Sequence, residues 1–321
     1  MEISITIEGM FGLTWERWKQ LIHKIESWGF AGLFRSDHFT MPFPPDMDSL
    51  ETIVSLAYLA SNSHKIHFGT LVSPLSFRDP VMLARQAMAI DDLSSGRMIL
   101  GLGAGWMERE HKLFGYDLGN VKTRMDRFEE GLAVIASLIR SEEPVTFQGD
   151  YYQLNDAQIL PRPKRRTPIM VGGLGPKRTM PLVARYADIW NCLPATVELF
   201  QERSEMLDEL LEKEGRKPSD VKRTIMLQSL CWNNIAQKEH IAKSVRDTLM
   251  PFREMTTDEV FDNLKKSTPG SVFGSPQNLV GTIHSFAQAG ADEIILQWFL
   301  LSDLEALQIL AGEILPQFNT S

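Results

Sequence analysis

Short apolar runs recur eight times along this chain, and between them lie stretches whose apolar residues fall at helical spacing. Residues 2–7, 31–35, 67–72, the run that opens at Met98, and residues 168–171, 188–191, 224–230 and 293–297 read as strands. They are rich in Ile, Val and Leu and too short to be buried helices. Helices are predicted over 14–28, 49–61, 80–93, 121–140, from near Pro176, and over 196–214, 276–289 and 303–314. Thr14 is placed to cap the first of these and Gly29 to end it, while Pro80 suits a first helical turn. A strand that is apolar along its whole length is buried on both faces, as a parallel sheet covered by helices requires. The pattern therefore predicts an α/β fold. An open doubly wound sheet competes with a (β/α)8 barrel, but eight units in 321 residues favour closure.

No stretch reads as an interdomain linker, so residues 1–321 are expected to form one barrel domain with insertions near 141–166 and 236–270. The first holds a small hairpin over 144–154, turning at Gly149-Asp150, and a basic connector over 161–166 expected to be a solvated loop. The second is polar and predicted helical.

Lys and Arg number 33 against 41 Asp and Glu, a net charge of −8, which argues against nucleic acid or an anionic membrane as partner. No apolar run is long enough to span a bilayer and no charged, apolar leader follows Met1, so a soluble cytoplasmic setting is expected. Cys192 and Cys231 make neither a disulfide framework nor a zinc site and read as small core side chains. The seven histidines lack ligand spacing, so no metal is expected.

Barrels of this kind build their sites at the C-terminal ends of the strands. That rule selects Ser36, Asp37 and His38, Thr70 to Ser73, Gly103 to His111, Gly172 to Arg178, Asn191 with Cys192, Cys231 with Trp232, and Gln297 with Trp298. His38, beside a carboxylate at a strand end, suits general acid–base work. Asp37 either orients a ligand or caps the next turn. Glu110 and His111 form a polar site edge or a solvated helical turn. Trp232 and Trp298 either wall an apolar pocket or pack within the barrel. In Gly172-Gly173-Leu174-Gly175-Pro176-Lys177-Arg178, glycines precede a helix start that carries two cations, a combination that suits a phosphate.

Taken together, several motifs resemble the bacterial luciferase-like flavin and deazaflavin oxidoreductases over nearly the whole chain. They are Ser36-Asp37-His38-Phe39, Phe68 to Pro74 (FGTLVSP), Phe77-Arg78-Asp79-Pro80, Asp91 to Arg97 (DDLSSGR), Gly101 to Trp106 (GLGAGW) with Glu110-His111, Gly172-Gly173, and Ala184 to Asn191. The GAGW and EH pairing is most similar to the branch that uses coenzyme F420. The resemblance implies a luciferase-like (β/α)8 barrel and hydride transfer between F420 and a small organic substrate. A reduced-FMN monooxygenase served by a separate flavin reductase is the alternative, and a non-catalytic flavin-binding relative the second.

His38 and Asp37 are expected near the redox ring. Asp37, Thr70, Leu71, Ser73, Gly103, Ala104, Gly105, Glu110, His111, Gly172, Gly173 and Lys177 are expected to hold the cofactor, with Gly103 to Gly105 clearing space for its ring. Trp106, Trp232 and Trp298 are expected at the substrate. A non-prolyl cis peptide is expected at Thr70–Leu71, and a homodimer is implied. One departure stands out: deazaflavin-dependent sugar-phosphate dehydrogenases of the family carry Glu directly after the third glycine, where this chain has Trp106.

Overall fold

The structure, a computed structural model, describes residues 1–318. In chain order its strands are β1 (Glu2–Ile7), β2 (Gly32–Arg35), β3 (His67–Thr70), β4 (Ser73–Pro74), β5 (Met98–Gly103), β6 (Val145–Gln148), β7 (Gln153–Ala157), β8 (Ile169–Gly172), β9 (Ile189–Cys192), β10 (Lys222–Cys231), β11 (Val272–Gly274) and β12 (Glu293–Trp298). Parallel pairing runs β12-β1-β2-β3-β5-β8-β9 and closes through β9–β10 and β10–β12, giving an eight-stranded ring. The registers Glu2↔Glu293 and Ile5↔Leu33 set β1 between its neighbours. This is the (β/α)8 barrel that the alternating pattern predicts. The short strand β4 extends the β5 edge and β11 extends β10, while β6 and β7 form a separate antiparallel hairpin.

The covering helices are α1 (Trp15–Trp28), α2 (Thr52–Asn62), α3 (Pro80–Leu93), α4 (Glu108–Phe114), α5 (Val121–Arg140), α6 (Thr179–Tyr186), α7 (Val197–Lys213), α8 (Ile235–Thr248), α9 (Thr257–Ser267), α10 (Pro276–Gln288), α11 (Leu304–Glu313) and α12 (Leu315–Phe318). Their ends follow local chemistry. Thr14 Oγ1 accepts the Arg17 amide at the start of α1, and Gly29 ends it in the left-handed region at φ 88°. Asp79 accepts the Met82 amide at 2.8 Å, with Pro80 in the first turn of α3. The α1 stripe Trp18, Leu21, Ile22 and Ile25 is buried, and Trp18 Nε1 donates to Ser55 O at 3.0 Å, tying α1 to α2. Inside the ring a second apolar cluster, including Phe34, Ile99, Met170, Ile189 and Ile295, fills the barrel.

Two local expectations are corrected. The run 67–72 is strand only as far as Thr70, because the chain kinks at a non-prolyl cis peptide and resumes at Ser73. That bond is Leu71–Val72, one residue beyond the expected Thr70–Leu71. Thr70 stays in the sheet because its hydroxyl donates to Gly101 O at 2.7 Å and accepts the Gly101 amide at 3.0 Å. The connector 161–166 is a largely exposed loop, as expected, but its arginines are tied down. Arg165 reaches the fully buried Asp91 at 3.0 Å, Arg166 meets Asp188 at 2.6 Å, and Arg162 lies on the last carbonyls of α5. The polar segment after β10 is helical as expected, folding as α8 and α9, and just beyond it lies β11, a strand that was not expected.

Candidate active site

A cavity of about 340 Å³ opens at the C-terminal ends of the strands. Among its lining residues are Glu8, His38, Leu71, Val72, Trp106 and Glu110, with Met10, Phe11, Leu249, Leu264 and Phe299 making much of the remaining wall apolar. Leu249 and Leu264 come from the α8 and α9 segment, which roofs the mouth.

His38 follows β2. Its Nδ1 lies 3.0 and 3.2 Å from the two carboxylate oxygens of Glu110. Glu110 stands in the first turn of α4, where the helix dipole favours a negative charge, and it also accepts the Phe39 amide at 3.1 Å. The glutamate is buried and cannot swing away. With Nδ1 committed to a carboxylate, Nε2 is the nitrogen left for the cavity. Burial disfavours the imidazolium, but the hydrogen bond to Glu110 and the charges of Glu110, Glu8 and Asp37 outweigh it, so the His38 pKa is raised. Trp106, 60% exposed, meets the imidazole edge-on with centroids 5.7 Å apart.

Asp37 points away from this dyad. Its carboxylate accepts Ser73 Oγ at 2.7 Å and is gripped by Arg78 at 2.7 and 2.9 Å, and it does not line the cavity. Arg78 also bonds Glu51, so the motif after β2, the β4 region and the start of α2 become one ionic clamp. Arg35 anchors the same loop from beneath, donating to Leu50 O at 2.8 Å and to Ser55 Oγ; burial pushes its pKa down to about 10. Gly9 must be glycine to admit that guanidinium.

The glycines of GLGAGW also have a packing role. A Cβ on Gly103 would lie 2.6 Å from Val72 Cγ2, and one on Gly172 would lie 3.0 Å from Val72 Cγ1. These glycines of β5 and β8 make room for Val72, which lines the cavity. Gly105, at φ 86°, packs against Ser76, whose hydroxyl lies 2.8 Å from His111 Nε2. His111 is buried, its Nδ1 2.7 Å from Met107 O, and it braces the loop from behind.

Of the residues expected at the site, Ser36, His38, Leu71, Val72, Gly105, Trp106, Glu110 and Gln297 line the cavity. Thr70, Ser73, Gly103, Ala104 and His111 form its supporting layer. Trp232 and Trp298 are not in the wall: Trp232 packs on Phe261 with centroids 4.3 Å apart, and Trp298 is buried with Nε1 donating to Leu300 O at 2.9 Å. Both belong to the packing, the less specific of the two roles weighed for them. Glu8 escaped the sequence reading although the strand-end rule, applied to β1, selects it. Leu249 and Leu264 carried no signal, since a residue brought in by an insertion has no strand-end position to mark it, and Phe299 lies one residue beyond the pair selected at the end of β12.

The turn after β8 sits beside the cavity. Gly173, at φ 130°, donates its amide to Asn191 O at 3.0 Å, and a Cβ there would lie 3.0 Å from Thr179 Cγ2. Arg178 is drawn off to Asp126 and Glu129 at 2.9 Å each, leaving the exposed Lys177 as the cation of the turn. Burial pushes Cys192 and Cys231 up to about 12 each, so neither is a nucleophile. At the opposite end of the barrel Glu2, His67 and Glu293 are close enough to share a cation, but the Lys222 ammonium already bonds both carboxylates.

The model of the luciferase-like monooxygenase family matches residues 5–272. The chain belongs to that family. The F420-dependent glucose-6-phosphate dehydrogenase of Kineococcus radiotolerans is 32% identical over 206 residues, 63% of this chain and 60% of that protein. The 4-hydroxyprotoasukamycin monooxygenase of Streptomyces nodosus subsp. asukaensis is 31% identical over 154 residues, 48% of this chain and 40% of that one. The match thus spans about 60% or less of the length of these two relatives. Among solved structures, an F420-dependent secondary alcohol dehydrogenase in complex with an F420-acetone adduct superposes with a TM-score of 0.80 at 18% identity, covering 98% of each chain. A monooxygenase from Streptomyces bottropensis gives 0.79 at 18% identity, over 99% of this chain and 100% of its own. Both likenesses are of fold.

Proposed function

We propose that this luciferase-like protein is an F420-dependent oxidoreductase acting on a small organic molecule with an apolar body. The observation that carries the reading is the His38–Glu110 dyad, whose unpartnered imidazole nitrogen faces an apolar cavity at the barrel mouth. When bound, the deazaflavin supplies or takes up the hydride. The residues present fit it. Leu71 and Val72 make a convex apolar wall for a flat ring, and the glycine turn from Gly172 to Lys177, with a helix start and one exposed cation, suits its phosphate.

His38 Nε2 then gives or receives the proton that accompanies the hydride, while Glu110 holds the imidazole in place and stabilises its charged form. Asp37 is a positioning residue that acts through Arg78 and Ser73. Trp106 shields His38 from one side. Among the described residues no Lys or Arg lines the cavity, so the sugar phosphate named for the Kineococcus relative does not suit it. A homodimer in the cytoplasm completes the reading on family resemblance, and light scattering after gel filtration tests the dimer.

Titration with F420 and, separately, with reduced FMN, followed by fluorescence quenching, tests the cofactor. Saturable F420 binding is expected. Binding of reduced FMN alone would move the protein to the monooxygenase reading, with a separate flavin reductase as partner, and binding of neither to the non-catalytic one.

A further inference from the structure

Glu8 is the ionisable group of the cavity that the proton relay leaves unused. It follows β1 directly and is only 6% exposed. Its Oε1 accepts Gln297 Nε2 at 2.6 Å, and its own amide donates to Trp298 O at 3.1 Å, so β12 fixes the residue on both sides. Among the described residues no Lys or Arg lies within ion-pair distance of its carboxylate, and none lines the cavity. The titratable and charged groups facing it are Glu110, which adds negative charge, His38, whose Nδ1 is already committed to Glu110, and the Arg35 guanidinium, which lies beneath Gly9 and spends its bonds on Leu50 O and Ser55 Oγ.

A buried carboxylate with one neutral hydrogen bond and no ion-pair partner is costly, and a cationic ligand would supply the missing partner. A cavity holding two carboxylates and one imidazole repels anions whichever way His38 is protonated. Around Glu8 the wall is apolar, with Met10, Phe11, Leu249, Leu264 and Phe299. We propose that the substrate is an organic cation, an amine charged at neutral pH, whose ammonium pairs with Glu8 while its hydrocarbon part lies against Met10, Phe11 and the α8–α9 roof. This rests on the reading of the cavity as a hydride-transfer site and names the class of molecule it takes.

Calorimetric titration of the F420-loaded protein with hexylammonium, hexan-1-ol and hexanoate tests the proposal, alongside Glu8→Gln and Glu8→Asp variants. Hexylammonium is expected to bind at least roughly tenfold more tightly than either of the others, a difference in the range of a desolvated charge pair. Glu8→Gln should erase that preference and leave hexan-1-ol within about twofold, while Glu8→Asp, which keeps the charge, should retain it. F420 affinity, read by quenching, should be the same in all three proteins.

Equal binding of hexan-1-ol or hexanoate in the native protein overturns the proposal, and so does an unchanged preference in Glu8→Gln. A drop in F420 affinity confined to Glu8→Gln would instead assign Glu8 to the cofactor and overturn it too. If F420 does not bind at all, the cofactor reading fails by itself, and the same three probes on the protein alone still decide the charge preference.

Discussion

Two histidine–glutamate pairs sit at opposite ends of the barrel, and only one is equipped for chemistry. At the C-terminal end His38 bonds Glu110 at 3.0 Å beside a cavity. At the N-terminal end His67 bonds Glu293 at 2.8 Å, but Glu293 also receives Ser4 Oγ and, at 2.8 Å, Lys222 Nζ. Glu2, His67, Lys222 and Glu293 are each the first residue of a strand, so the lower network stitches β1, β3, β10 and β12 together. It has spent its donors and acceptors on itself. The upper pair leaves a ring nitrogen without a partner and opens onto space. The same two residue types therefore lock the fold in one place and present a proton in the other, and the difference lies in what surrounds them.

Substitutions that treat the two pairs alike would break this contrast. His38→Ala should lower turnover by roughly 10²–10⁴-fold, the contribution of a positioned acid–base group, with little change in unfolding midpoint and in F420 affinity. Steady-state rates and thermal melts on the same preparation check it, and a near-native rate would remove His38 from the mechanism.

Glu293→Ala should act the other way round. It leaves Lys222 with Glu2 alone and takes the buried acceptor from His67 and Ser4, and should cost about 1–3 kcal/mol of stability, with any turnover loss following only from unfolding. Urea titration measures this, and a loss under about 1 kcal/mol would mean that the network is not a lock.

Acid should strike the lower end first. Burial raises the Glu293 pKa, but the His67 hydrogen bond and the charges of His67 and Lys222 outweigh it and hold the carboxyl down at about 2, against 4.5 for a free glutamate. The stability this provides is fully present above about 4.5 and is lost as pH falls from there toward 2. The native protein should therefore lose unfolding midpoint over that window, and Glu293→Gln should lose less.

Glu110→Gln probes the upper end with the mildest change. Removing the carboxylate takes away the interactions that raise the His38 pKa. In the direction that consumes a proton, kcat/KM falls as pH rises through that pKa, and in the variant the fall should move to lower pH. An unmoved profile would show that another group titrates. At His38 itself the raised pKa adds stability that is present below about 6.5 and lost as pH rises through the folded value, the opposite sign to Glu293.

Much of the fold was legible in the chain itself. Short, wholly apolar strands must be buried on both faces, and eight of them separated by amphipathic helices leave few arrangements other than closure. Caps such as Thr14, Asp79 and Gly29 act within a few residues, so they too can be read locally. The strand-end rule located His38, Leu71, Trp106 and Glu110 at the mouth because the barrel fixes which end of each strand faces it.

What the sequence could not decide was partnership across the chain. Asp37 and His38 are adjacent, yet one is bound by Arg78 and the other by Glu110, 72 positions away. Gly103 and Gly172 are explained by Val72, which neither neighbours in sequence. Glu8 becomes notable only once the ring closes β1 against β12 and, among the described residues, no Lys or Arg forms an ion pair with it. Periodicity reports which face of an element is buried, because that is set by neighbours a few residues away. Which side chains meet in the buried space, and whether a charge there finds its opposite, is settled only when distant strands are brought side by side.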